Sequence, residues 1–196
     1  MKFGIKHQET YSRGELLLRT FFGIFYMLLP HAFLILFVLI GSVFLNFLTF
    51  WIILFSGKFP PTFFNYQLNL QRWNLRVMAR ISNLSDGYPS FGLSGTDENT
   101  WIELEYPESS SRGKLVLRLF LGVFYVYIPH VFCLYFLSIA AAFMRFIAWW
   151  IILFTGKYPA GMHSFSVGVM RWTFRVSAYM GFLTDTYPPF SLEEEA

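Results

Sequence analysis

The sequence predicts an all-α membrane protein made of two tandem repeats, each a hydrophobic helical hairpin followed by an amphipathic interfacial helix. Three observations carry that prediction. The 196 residues are 55% hydrophobic and 21% aromatic but only 14% charged, where a soluble domain is about one quarter charged. Residues 20–55 contain no Asp, Glu, Lys or Arg, and residues 119–154 contain only Arg145; runs beyond ~18 apolar residues point to a membrane rather than to a soluble core. Finally, Trp-Ile-Ile-Leu-Phe-Ser-Gly-Lys-Phe-Pro at 51–60 returns as Trp-Ile-Ile-Leu-Phe-Thr-Gly-Lys-Tyr-Pro at 150–159, an offset of 99.

The same offset aligns the rest of the chain without a gap. Arg19 matches Arg118, Pro30-His31 matches Pro129-His130, Arg72-Trp73 matches Arg171-Trp172, Arg76 matches Arg175, and Asp86 and Tyr88-Pro89 match Asp185 and Tyr187-Pro188. Repetition on this scale marks a duplicated structural unit. The expected division is repeat one at 1–93 (hairpin about 15–56, amphipathic helix about 62–84), a linker at 94–100, repeat two at 101–192 (hairpin about 114–155, amphipathic helix about 161–183) and a mobile acidic tail at 193–196.

Each repeat opens on a short alternating stretch, Phe3 and Ile5 in one, Ile102, Leu104 and Tyr106 in the other. Alternation predicts half-buried strands, and the two can pair with each other. The 36-residue apolar run follows. As one straight helix it measures ~54 Å, against a hydrocarbon core of ~30 Å. Two arrangements relieve the mismatch. In one, the helix turns back near Gly41-Ser42 (Ala140-Ala141 in the second repeat); in the other, Glu15–Leu29 lies flat and a single span runs from about His31 to Phe55. Arg13 and Arg19 precede the run and Lys58, Arg72 and Arg76 follow it, with the same pattern around the second run. Basic flanks stay on the cytoplasmic side, which favours the hairpin, four membrane segments and both termini inside.

The apolar run ends at a stop signal. Gly57 and Gly156 suit a left-handed helix cap, Lys58 and Lys157 suit the negative helix end, and Pro60 and Pro159 forbid continuation. These Gly-Lys pairs lack the upstream glycine and following Ser/Thr of a phosphate loop. The next segment places Phe63, Leu70, Trp73 and Val77 on one helical stripe beside Arg72 and Arg76; in the second repeat Phe165, Val169, Trp172 and Val176 answer Arg171 and Arg175. Such a helix after a membrane exit is expected to lie in the headgroup layer, with Arg72, Trp73, Arg76, Arg171, Trp172 and Arg175 against phospholipid or a partner. Each repeat closes on a turn-rich tail with an Asp, a Tyr-Pro pair and a Phe, where Asp86 and Asp185 read as turn or cap residues.

Few residues offer chemistry. His31, His130 and Arg145 are the most interesting ionisable groups within the apolar runs, where titratable residues read as functional. Pro30 and Pro129 remove a helix hydrogen bond and free the carbonyls of Tyr26 and Tyr125, so the plainer role for each imidazole is to bond such a carbonyl. Arg145 is expected to snorkel toward the far headgroups. No nucleophile and base converge, so no enzyme activity, cofactor or metal is expected, and the arginines are too few and too close to membrane segments for nucleic acid. Cys133 stands alone, which excludes an internal disulfide.

Phe-Thr-Gly-Lys-Tyr-Pro at 154–159, Arg-Trp with a following Arg at 171–175, and Leu-Thr-Asp-Thr-Tyr-Pro-Pro-Phe at 183–190 resemble a bacterial membrane-domain family catalogued as a domain of unknown function. The first repeat departs from that pattern with Phe59 for Tyr and Ser90 for the second Pro. The resemblance implies a protein of the bacterial cytoplasmic membrane and supplies no reaction or substrate. The expected function is a non-enzymatic membrane scaffold or accessory subunit of a larger assembly, partnered by phospholipid and by other subunits or copies of itself. The alternative is a transport or lipid-handling subunit with His31, His130 and Arg145 along a path between the repeats.

Overall fold

The computed structural model describes residues 1–194. Its elements in chain order are β1 (Lys2–Ile5), the long helix α1 (Arg13–Ser56), α2 (Pro61–Ile81), β2 (Thr100–Glu103), the long helix α3 (Arg112–Thr155) and α4 (Ala160–Met180). The long helices each carry one wide π turn, at Ile24–Leu28 and Val123–Tyr127. The helices thus recur at the offset of 99 and the strands at 98. The expected pairing of the opening strands is present as an antiparallel pair, with Phe3 opposite Ile102 and Gly4 opposite Trp101.

The apolar run does not fold back at Gly41-Ser42. Ser42 and Ala141 sit inside continuous helix, buried on its inner stripe. Nothing in the run breaks a helix except the prolines, and each proline is absorbed by the π turn before it, so the chain has no reason to reverse until Gly57 or Gly156. There it does reverse. Both glycines are left-handed, with φ of 72° and 73°, and their amides bond back to Ile53 and Ile152. The helical hairpin therefore exists, but its limbs are the long helix and α2 (or α4), and its turn is the Gly-Lys-x-Pro stop.

α2 runs back along α1. Tyr66 bonds the Val38 carbonyl, Gln67 bonds both the hydroxyl and the carbonyl of Ser42, Ile35 packs with Leu70, and Trp73 reaches His31. A second stripe of α2, with Phe64, Leu68, Leu75 and Ala79, shares a core with Val167, Met170 and Ala178 of α4, with the strands, and with the ends of both long helices. The long helices run antiparallel and meet at both ends. Arg13 donates to the Phe154 carbonyl and Trp149 to the Thr20 hydroxyl, while Arg112 donates to the Phe55 carbonyl. Each arginine thereby caps the other helix's C-terminus, where orphan carbonyls and the negative dipole end favour a cation.

Candidate functional site

Each long helix buries a narrow stripe and leaves the rest bare. In α1 the stripe includes Leu16, Arg19, Met27, His31 and Ile35. Around it, Phe21, Phe44 and Phe55 are 68%, 62% and 75% exposed, and Phe120, Phe143 and Phe154 of α3 are bare to the same degree. The exposed apolar band runs from Leu17 to Phe55 in one helix and from Val116 to Phe154 in the other. Soluble monomers rarely show patches beyond a few hundred Å². Both helices are long and apolar enough to cross a membrane, with mean hydropathies of 2.5 and 2.1 over an 18-residue stretch of each.

Behind this surface sit two similar boxes of side chains. In the first, the Trp73 indole donates to Nδ1 of His31 at 2.9 Å, and the Phe91 ring stacks on the imidazole at 3.9 Å. In the second, Trp172 donates to His130 at 2.8 Å, with Phe190 stacked at 4.0 Å. An indole can only donate, so Nδ1 accepts and the imidazole proton lies on Nε2. The freed carbonyls of Tyr26 and Tyr125 are not taken by the histidines. The hydroxyls of Tyr88 and Tyr187 bond them, each at 2.9 Å. Thus the tail's Tyr mends the backbone gap made by the proline, and the tail's Phe closes the box. His31 and His130 are fully buried.

The tail's Asp completes the fixing. Asp86 accepts from the Ser12 amide at the start of α1 and pairs with Arg19 at 2.8 Å; Asp185 accepts from the Ser111 amide and pairs with Arg118. Arg19 and Arg118, nearly inaccessible, are residues that sequence reasoning passed over as flanking charges. Their equal spacing from Asp86 and Asp185 in the two repeats was the available signal.

The arginines expected at the headgroups turn inward instead. Arg76 donates to the carbonyls of Ser90, Gly92 and Gly95, and Arg72 to that of Ile102. Arg171 bonds the Phe3 and Leu192 carbonyls, and Arg175 those of Ser191 and Glu193. Trp73, Arg76, Trp172 and Arg175 are buried. The reason is that α2 and α4 are wrapped by the loops that follow them, whose turns carry many unpaired carbonyls, and a guanidinium's five donors satisfy several at once. Glu193 of the expected mobile tail is tied down by this contact, while residues 195–196 lie outside the described residues.

Arg145 is half-buried, and its charge acts on the Tyr158 phenol at the stop of α3 rather than at a distant surface; burial raises that phenol's pKa and Arg145 opposes the rise. With no bend near Ala140-Ala141, the expected route to far headgroups is gone. Lys58 and Lys157 are exposed at the hairpin turns, and Pro60 and Pro159 stand immediately before α2 and α4. On the polar side, Arg80 and Asp97 form an ion pair with both side chains at least nine-tenths buried. Burial alone would raise the Asp97 carboxyl, but Arg80, the Thr100 hydroxyl and the Asn99 amide together hold its pKa below the ordinary value. His163 bonds the Leu84 carbonyl at 3.2 Å, and burial lowers its pKa to about 4.

These features define a helical protein with a large bare apolar surface and a tightly tied polar body. Residues 112–191 match a domain of unknown function, DUF4389, covering α3, α4 and the tail that closes the second box. No curated protein matches the chain, and no solved structure does.

Proposed function

We propose that the protein is a non-enzymatic membrane scaffold or accessory subunit, held in the bilayer by its long helices and presenting its polar body to other subunits or to further copies of itself. The observation that carries this is the bare apolar band on both long helices, ~57 Å long at 1.5 Å per residue, which only lipid or an equally apolar partner can cover. The headgroup contacts move from the α2 and α4 arginines to the exposed cations at the helix ends, Arg13 and Lys157 at one, Lys58, Arg112 and Lys114 at the other. A lysine or arginine near an anionic surface contributes about 1 kcal/mol. The bacterial cytoplasmic membrane is the setting that the sequence resemblance favours. His31 and His130, sealed by stacked rings, favour structural boxes over stations on a transport path.

The test is an alkaline carbonate wash of membranes containing the protein, followed by gentle-detergent purification and reconstitution into phosphatidylethanolamine–phosphatidylglycerol vesicles. Retention in the membrane, with no proton or solute leak from the vesicles, is expected. Release by carbonate would sink the membrane reading, and a leak abolished by His31→Phe with His130→Phe would sink the scaffold in favour of transport.

A further inference from the structure

We propose that the protein lies in one leaflet, with its long helices parallel to the membrane plane, rather than spanning the bilayer. This rests on the membrane reading above and specifies its geometry. Length gives the first argument. Fitting the ~57 Å apolar band of α1 within a ~30 Å core would need a tilt of about 58°, outside the 0–40° range of membrane helices.

The polar body gives the second, independent argument. Trp73 bonds His31, near the middle of α1, and the neighbouring Arg72 reaches Ile102 of β2. Trp172 bonds His130, near the middle of α3, and the neighbouring Arg171 reaches Phe3 of β1. The two-stranded sheet is therefore level with the midpoints of both long helices. It carries Lys2 and Glu103 with side chains 73% and 62% exposed. Standing the long helices upright would carry these charges, and the loops bonded to Arg76 and Arg80, to the bilayer centre, where each charged side chain costs at least ~2.5 kcal/mol. Laid flat, the same sheet and loops stay in water while the phenylalanine-rich flanks of α1 and α3 enter the acyl chains.

The third argument is the placement of cations. α1 and α3 are antiparallel, so upright helices would put Arg13 and Lys157 on one side of the membrane and Lys58, Arg112 and Lys114 on the other. Laid flat, all five reach the headgroups of the same leaflet.

Polarised infrared dichroism of the unmodified protein in supported bilayers reads this directly. α2 and α4 run along the long helices, so nearly all the helical amide signal reports one direction. An amide I transition moment lying in the membrane plane supports the proposal; one along the normal overturns it. Sidedness supplies a second readout in a Cys133→Ser background. Ser12→Cys and Ser56→Cys, at the two ends of α1 and both exposed, should react with a membrane-impermeant maleimide from the same side of sealed vesicles. Reaction from opposite sides overturns the flat arrangement while leaving membrane attachment, read by the carbonate wash, intact.

Discussion

Replacing Tyr88 with Phe removes a single hydroxyl, and its cost depends on a proline 58 positions away. In a regular helix the Tyr26 carbonyl would accept from the amide of residue 30, but Pro30 has none. The Tyr88 hydroxyl supplies the missing donor at 2.9 Å. A hydrogen bond contributes ~0.5–1.5 kcal/mol net, and an orphaned group shielded from water costs ~1–3 kcal/mol. On the proposed membrane placement lipid covers the helix that carries Tyr26, so the upper range applies in a bilayer and the lower in detergent. In detergent Tyr88→Phe is expected to destabilise by ~0.5–1.5 kcal/mol, a fall of roughly 1–6 °C in Tm for a domain this size. Pro30→Ala restores a backbone amide to the gap. In that background Tyr88→Phe should cost only a few tenths of a kcal/mol at most, a coupling of ~0.5–1 kcal/mol in a double-mutant cycle. The assay is thermal unfolding in mild detergent, followed by tryptophan fluorescence. Equal losses in both backgrounds would refute the claim that the tyrosine mends the proline's gap.

Other outcomes follow from the same structure. Asp97→Ala leaves the buried Arg80 guanidinium without its carboxylate and should cost ~3–5 kcal/mol, measured by urea unfolding in detergent; a loss under 1 kcal/mol would mean the site is wet. Asp97 has a folded pKa below its unfolded value, so its contribution is present above the ordinary carboxylate range and lost as pH falls through the folded pKa. His163 is neutral in the fold, with its pKa lowered from 6.5 to about 4; the unfolded chain binds the proton first, so stability should fall by at most ~3 kcal/mol as pH drops from 6.5 to 4. His163→Leu should make that fall smaller by its own share in a pH series of unfolding midpoints, with the buried His31 and His130 left to contribute the rest, and an unchanged slope would assign the sensitivity elsewhere. Gly57→Ala and Gly156→Ala force an L side chain into φ near +72°, costing ~1–2 kcal/mol each, visible as additive shifts in the same assay.

Much of this was legible from residues alone. Gly57 and Gly156 announced the helix stops, Pro30 and Pro129 announced the orphan carbonyls, and Phe3 and Ile102 announced strands that pair. What failed was the position of the reversal. Counting basic flanks presupposes that an apolar run crosses the membrane, and under that premise a 36-residue run must bend. The chain instead keeps the helix whole and returns along it with α2, whose polar stripe no span could tolerate. The premise also sent the α2 and α4 arginines to lipid, because an amphipathic stripe cannot say whether its polar side meets headgroups or the carbonyls of a loop. The boxes were half visible. His31 and Trp73, like His130 and Trp172, are separated by 42 residues, a repeated distance that sequence alone could have flagged but could not turn into a contact. The tail's Tyr, Phe and Asp read as turn residues because their partners lie over 55 positions upstream.

The central claim is that the bare flank of the long helices is the lipid-facing surface and the strand pair faces water. The most direct measurement is collision accessibility of nitroxides placed singly at Phe37, Phe44 and Glu103 in a Cys133→Ser background, in reconstituted vesicles. Phe37 and Phe44 are 57% and 62% exposed on α1. The account predicts that oxygen, concentrated in the acyl chains, relaxes the labels at these two positions far more than a water-soluble nickel chelate does, with the reverse at Glu103. Chelate access at Phe37 and Phe44 equal to that at Glu103 would contradict it, because the apolar band would then be covered by neither lipid nor partner.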